Sequence, residues 1–192
     1  MIEYIYKLLD KYNKNIDYDL YKYGITILFD YLIYLSITFI FSLFFNTTNI
    51  AFLFILFYSI LRKYYGGFHF NSKRLCIISS ISLTVLISFF SKSISIHNIL
   101  FFITYLLQLL FTIFFIPIDH KNKRLNDVEK KYYKKKSIII EIIFIFIYLF
   151  CKIFDFSLIC NILFFIGIVN IFNIILSFFQ MIIIKNRGDD QK

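Results

Sequence analysis

"ITILFDYLIYLSITFIFSLFF" (residues 25–45) carries one charged side chain, Asp30, in its whole length. The hydrocarbon core of a bilayer takes about 20 apolar helical residues to cross. The stretch therefore reads as a membrane-spanning helix. Outward from it the pattern repeats, with further apolar runs at 48–61, 75–90, 99–118, 138–154 and 156–184. The runs at 25–45 and 99–118 have the length of a full span. Those at 48–61, 75–90 and 138–154 are short, and 156–184 is long. Arg62 and Lys63 can snorkel, which extends the second run to Tyr65. The expected fold class is all-α: a polytopic membrane helical bundle with six apolar segments. The alternative is four spans plus a re-entrant hairpin.

Composition agrees. The chain is 59% hydrophobic, with 27 Phe and 15 Tyr among its 192 residues, and its mean hydropathy is +0.73. Soluble domains lie nearer 45–50% apolar. Three cysteines make an odd number, so no disulfide framework is expected. No secretory signal is visible: 22 mixed residues precede the first run, and that run lacks a small-residue cleavage site. In those residues Ile2, Ile5, Leu9, Tyr12 and Ile16 recur at helical spacing between Lys and Asp. They predict an amphipathic helix over 1–22, lying in the membrane surface or packed on the protein. Residues 23–184 are then the transmembrane domain and 185–192 a tail.

Loop charge sets the expected orientation. Nineteen of the 21 Lys and Arg fall in the N-terminal segment, the loops 62–74 and 119–137, and the C-terminus; the alternate loops hold two. Short cytoplasmic loops are enriched in Lys and Arg. Both termini and both basic loops are therefore expected in the cytoplasm. The net charge of +9 is spread over short loops between apolar runs, so it argues against a nucleic-acid partner.

Into this apolar chain breaks "LRKYYGGFHFNSKRLC" (61–76). A Cys becomes a strong nucleophile when a neighbouring His takes its proton. Helix N-termini and nearby cations lower the pKa of a thiol. Asn71 or Ser72 is a good N-cap for the third apolar helix, and a cap at Ser72 makes Cys76 the fourth helical residue, with Lys73 and Arg74 beside it. On one straight helix, the seven residues from His69 to Cys76 would span about 10.5 Å, too far for a hydrogen bond. His69 must therefore sit on a bent loop, which Gly66 and Gly67 permit. The backbone N–H groups of those glycines are candidates for an oxyanion hole. Each feature also has a bland reading: an inert packed thiol, a solvated histidine, an ordinary turn.

The stretch resembles the signature of the accessory gene regulator protein B (AgrB) family, which are membrane-embedded cysteine endopeptidases of Gram-positive bacteria that mature autoinducing peptides. The family pattern is an Arg, a Gly-Gly, an aromatic, a His, and a Cys seven residues after the His. Here these are Arg62, Gly66, Gly67, Phe68, His69 and Cys76. "PIDHKNKRL" (117–125) resembles the family segment after the fourth span, departing at Arg124, where many members carry Pro. The resemblance implies a cysteine peptidase with catalytic His69 and Cys76. Its substrate would be a small amphipathic peptide precursor docked at the cytoplasmic leaflet of the cell membrane. Cleavage would pass through an acyl-thioester, and cyclisation to a thiolactone or lactone would follow, for quorum sensing. A homodimer is the assembly the resemblance suggests.

Arg62, Gly66, Gly67, Asn71, Lys73, Arg74 and Asp119 are the candidate supporting or substrate-binding residues. Asn71 and Asp119 could orient the imidazole, as third residues do in related sites. No metal or other cofactor is expected, since His97 and His120 lie in other loops and zinc wants three or four ligands. The run "KKYYKKK" (130–136) suits anionic lipids or an acidic precursor tail. Asp30 and Glu141 lie inside apolar runs, where carboxyls are costly and face protein or water. Asn170 and Asn173 are expected to bond between helices. Cys151 and Cys160, near the 152–155 turn, are expected as buried free thiols. The competing function is a non-enzymatic transporter subunit or peptide-binding scaffold. Few polar residues are expected at mid-span, which disfavours transport.

Overall fold

The computed structural model describes residues 18–66, 68, 70, 72–118 and 125–189. The expected surface helix over 1–22 thus falls largely outside the described residues. Those described form an all-helical structure: α1 (Tyr18–Phe44), α2 (Thr48–Tyr65), α3 (Lys73–Ser93), α4 (Asn98–Phe115), α5 (Asp127–Ile153) and α6 (Ser157–Asp189). Four of them contain stretches long and apolar enough to cross a membrane: Tyr21–Phe44, Lys73–Ser93, Asn98–Phe115 and Ser157–Gln180. α5 is not among them, because the 18 residues ending at Ile153 include Lys136, Glu141 and Lys152.

The helix ends follow from local chemistry. α1 turns into α2 at Asn46, whose φ is 53°, and α5 into α6 at Asp155, whose φ is 57°. Asn and Asp tolerate this left-handed region better than most residues. α4 stops at Phe115, three residues short of the apolar run's end at Ile118. Pro117 disfavours helical backbone at the residue before it, and Ile116 is extended (φ −97°, ψ 145°). α5 starts at Asp127, well before its apolar run at 138. Asn126 and Glu129 form a capping box there: Glu129 N–H donates to Asn126 Oδ1 (2.8 Å) and Asn126 N–H donates to Glu129 Oε2 (3.0 Å). The polar run read as loop up to 137 is therefore helical from Asp127.

The contacts sort the loops into two ends. At one end, Ile118 N–H donates to Tyr65 O (3.4 Å) and Lys134 Nζ to Ile113 O. This end holds the end of α2, the starts of α3 and α5, and the end of α4, so both basic loops share it. At the other, Lys92 Nζ donates to Asn46 O (3.2 Å) and Asn161 Nδ2 to Ser91 O (3.0 Å) and Ile94 O (2.7 Å). Tyr148 OH donates there to Asn98 Oδ1 (2.9 Å). α2 and α5 run between the two ends, as the four helices that carry those apolar stretches do.

α6 is the axis of the bundle, packing against α2, α3, α4 and α5. Its Ile162, Leu163 and Ile166 are fully buried. α4 comes close because Gly167 leaves room: a Cβ there would lie 3.0 Å from Thr104 Cγ2. Small residues at helix crossings serve this purpose where lipid removes the hydrophobic drive for association. Outside the core the surface is apolar, with Phe44, Phe114, Phe146 and Ile153 well exposed. So large an apolar surface is untenable in water and natural in lipid.

Candidate active site

Cys76 lies where the sequence places it. Ser72 is the N-cap residue of α3, and Cys76 N–H donates to Ser72 O (3.1 Å), closing the first helical turn. The thiol residue is half-buried and free of any disulfide. Ser72 makes no side-chain capping bond, so the expected position holds without the expected contact. The Cys76 carbonyl accepts from the hydroxyls of Ser79 (2.9 Å) and Ser80 (2.8 Å). Such back-bonding ties the first turn of α3 to its second.

The cations around Cys76 are not equivalent. Lys73 Nζ is ion-paired with Asp30 Oδ2 of α1 at 2.7 Å. The intramembrane Asp30 thereby gains the cross-helix partner it needs, and Lys73 is largely neutralised. Arg74 stays exposed. The positive field at Cys76 therefore comes from the α3 dipole and Arg74 more than from Lys73.

Arg62 is turned towards the protein. Its Nη1 donates to Tyr58 OH (3.0 Å) and its Nη2 to the carbonyl of Phe68 (3.0 Å). Asn173 of α6 donates to the same Tyr58 hydroxyl. Asn173, Tyr58 and Arg62 thus form a chain from the axial helix to the backbone immediately before His69. A planar guanidinium can serve two acceptors in fixed directions where an ammonium cannot. Asn173 makes the interhelical bond expected of it. Buried Asn170 leaves its Nδ2 without a partner.

His69, Gly67, Asn71 and Asp119 lie outside the described residues, and so does His120. Their neighbours are described. α2 ends at Tyr65, and α3, which carries Cys76, begins at Lys73. Gly66 has φ 73°, and a Cβ on it would stand 2.9 Å from Ile118 O. Ile118 directly precedes Asp119. The two segments that carry the family resemblance therefore touch backbone to backbone.

Beside this junction is a groove of about 370 Å³, floored by Phe114, Phe115, Ile116, Pro117 and Ile118 and rimmed by Lys130, Lys131 and Lys134. An apolar floor under ammonium groups suits an anionic amphiphile. Among the described residues no cluster of three or more His, Cys, Asp or Glu could hold a metal ion. Cys151 and Cys160 are buried free thiols.

The sequence reading overlooked a polar cluster under the junction. Tyr65, Gln108, Thr112 and Glu141 come from α2, α4 and α5 and are all at most 2% exposed. Gln108 Nε2 donates to Tyr65 OH (3.1 Å), Tyr65 OH lies 2.9 Å from Thr112 Oγ1, and Thr112 donates to Glu141 Oε1. The expectation of few interior polar groups is thus corrected. Gln108 and Thr112, four residues apart among Leu, Ile and Phe, were the available signal, because that spacing puts both on one helix face.

Fold and site together define a helical membrane protein with a half-buried thiol at a helix start, set at the basic end of its bundle. The family model described as Accessory gene regulator B matches residues 1–184. The chain belongs to the accessory gene regulator B family, whose members are generally cysteine proteases of a quorum-sensing pathway. An AgrB-like protein of Clostridium perfringens (strain SM101, type A) is 34% identical, with 77% of this chain and 75% of its own covered. A second, AgrB-like protein 2 of C. perfringens strain 13, is 33% identical with the same coverage. No solved structure matches.

Proposed function

We propose that the chain is a membrane-embedded cysteine endopeptidase that cuts a small signal-peptide precursor and promotes cyclisation of the fragment it retains. The observation that carries this reading is the placement of Cys76. It is the fourth residue of a helix, half-buried, at the end of the bundle where the segments 62–68 and 116–118 meet. Family membership supports the same reading.

In this mechanism His69 takes the Cys76 proton and the thiolate attacks a precursor carbonyl. N–H groups of the Gly66–Gly67 segment stabilise the oxyanion. His69 returns the proton to the departing amine, which releases the C-terminal fragment. The remainder is held on Cys76 as an acyl-thioester. A Cys or Ser inside that peptide then displaces Cys76, closing a thiolactone or lactone. An intramolecular nucleophile outruns water where it is held close and the site is partly dry.

All six helices cross the bilayer in this reading, with the basic end and both termini in the cytoplasm. The Lys-rimmed groove contacts anionic lipid headgroups, and the protein works in the cell membrane as a homodimer. Against a transporter subunit stands the burial of Gln108, Thr112 and Glu141, which are fully enclosed and line no open path. The test is co-expression with the precursor. Cys76→Ala and His69→Ala each abolish cleavage while the protein still inserts; cleavage by Cys76→Ala would sink the proposal.

A further inference from the structure

The cluster of Tyr65, Gln108, Thr112 and Glu141 is expensive. Glu141 is fully buried, with its Oε2 unpartnered, and Gln108 Oε1 is also without a partner. A buried polar set that is only partly satisfied stabilises less than apolar side chains of the same volume. Stability alone does not account for it, so its placement is the informative feature.

The cluster ends on one residue. Tyr65 is the last residue of α2, and Gly66 after it opens the segment that carries His69. The Tyr65 hydroxyl is fixed from below by Gln108 and Thr112, and its carbonyl is fixed from the side by Ile118 N–H (3.4 Å). Proton placement gives the chain a direction. Thr112 has one hydroxyl proton, and two acceptors, Gln108 O (2.9 Å) and Glu141 Oε1, compete for it, so Tyr65 donates to Thr112 and accepts from Gln108. Glu141 Oε1, which also accepts from Gln108 Nε2 (3.3 Å), ties Thr112 and Gln108 together, and Tyr65 is where the cluster meets the backbone.

We propose that Tyr65 is a positioning residue for the Cys–His chemistry, held in register by Thr112, Gln108 and Glu141. This rests on the peptidase reading above. Tyr65 sets where the chain leaves α2, and through Ile118 it sets the start of the Asp119 segment as well. The interior polar cluster therefore anchors Tyr65 and, through it, Ile118, the residues from which both loops leave. Such control matters because a misplacement on the order of 1 Å can cost about a hundredfold in rate.

The test uses the full chain in lipid nanodiscs. Alkylation of Cys76 is followed across pH by mass spectrometry of the peptide containing it, alongside steady-state cleavage of the precursor. Tyr65→Phe and Thr112→Val, each nearly isosteric, move the alkylation profile towards that of His69→Ala. They lower kcat by roughly tenfold or more with KM little changed. Glu141→Leu joins them, and Glu141→Gln, which keeps a carbonyl acceptor, recovers most of the loss. Tyr105→Phe is the control: it deletes a buried hydroxyl bonded to Leu163 O (3.1 Å) on the α6 side of α4, and it leaves both measurements as in the wild type. If His69→Ala shifts the profile while Tyr65→Phe and Thr112→Val overlay the wild type, the positioning role is overturned. If His69→Ala itself overlays the wild type, the Cys–His reading fails and this inference falls with it.

Discussion

Replacing Gly66 by Ala tests the junction between the two loops. Gly66 has φ 73° and ψ −149°, a region that residues with a Cβ scarcely enter. Holding Ala there costs about 1–3 kcal/mol. The new methyl also meets Ile118 O at 2.9 Å. That atom is backbone and cannot rotate away, so an overpacking cost of about 1–3 kcal/mol is added. One backbone shift can relieve part of both, so the expected loss is about 2 kcal/mol or more. The shift moves the Ile116–Ile118 stretch away from Tyr65, and cleavage should fall further than stability does. Two other glycines calibrate the result. Gly24 has nothing within 4 Å of its Cβ position, and Gly24→Ala in a helix should be neutral or stabilising by up to about 1 kcal/mol. Gly167→Ala would meet Thr104, Gln108 and Tyr105 at 3.0–3.3 Å and should destabilise the α4–α6 packing by about 1–3 kcal/mol. The assays are unfolding in detergent and cleavage of the precursor by membranes. If Gly66→Ala matched Gly24→Ala in both, the account of the junction would be wrong.

Arg62→Lys keeps the charge but cannot bridge Tyr58 OH and Phe68 O as the fork does. Cleavage should drop at least tenfold with expression unchanged, and wild-type kinetics would reduce Arg62 to a membrane anchor. Asp30→Asn breaks a partly exposed ion pair, so its effect on the unfolding midpoint should stay within about 1 kcal/mol; a larger loss would mean the pair is more desolvated than its geometry indicates. Asn126→Ala removes the capping box of α5 and should cost about 0.5–2 kcal/mol, read by unfolding, whereas no change would mean that the Lys-rich first turns contribute little. Replacing Lys130, Lys131 and Lys134 together by Gln should reduce retention of anionic lipid in native mass spectrometry, and equal retention would remove the groove as a headgroup site.

The apolar runs were readable because lipid imposes length and hydropathy on each helix separately. Cys76 was placed correctly for a similar reason: a polar cap position followed by an apolar run marks a helix start locally. The early start of α5 was also written in the chain, as Asn126 followed three residues later by Glu129, yet the lysines between it and the apolar run read as loop. What periodicity could not supply was register between helices. That Tyr65, Gln108, Thr112 and Glu141 meet depends on how α2, α4 and α5 slide and rotate against one another. Nor does sequence say which acceptor a cation takes. Arg62 read as a supporting or substrate-binding residue and Lys73 as a cation beside the thiol, whereas the structure commits one to Tyr58 and Phe68 and the other to Asp30.

The covalent state of Cys76 during turnover tests the central claim most directly. A precursor whose internal Cys or Ser is replaced by Ala can be cut but cannot cyclise. Co-expressed with it, the wild-type chain should gain the mass of the precursor's N-terminal portion, carried on Cys76 and released by hydroxylamine, while Cys76→Ala gains nothing. Cleavage of that precursor with no adduct on Cys76, or with Cys76 replaced, would contradict the account.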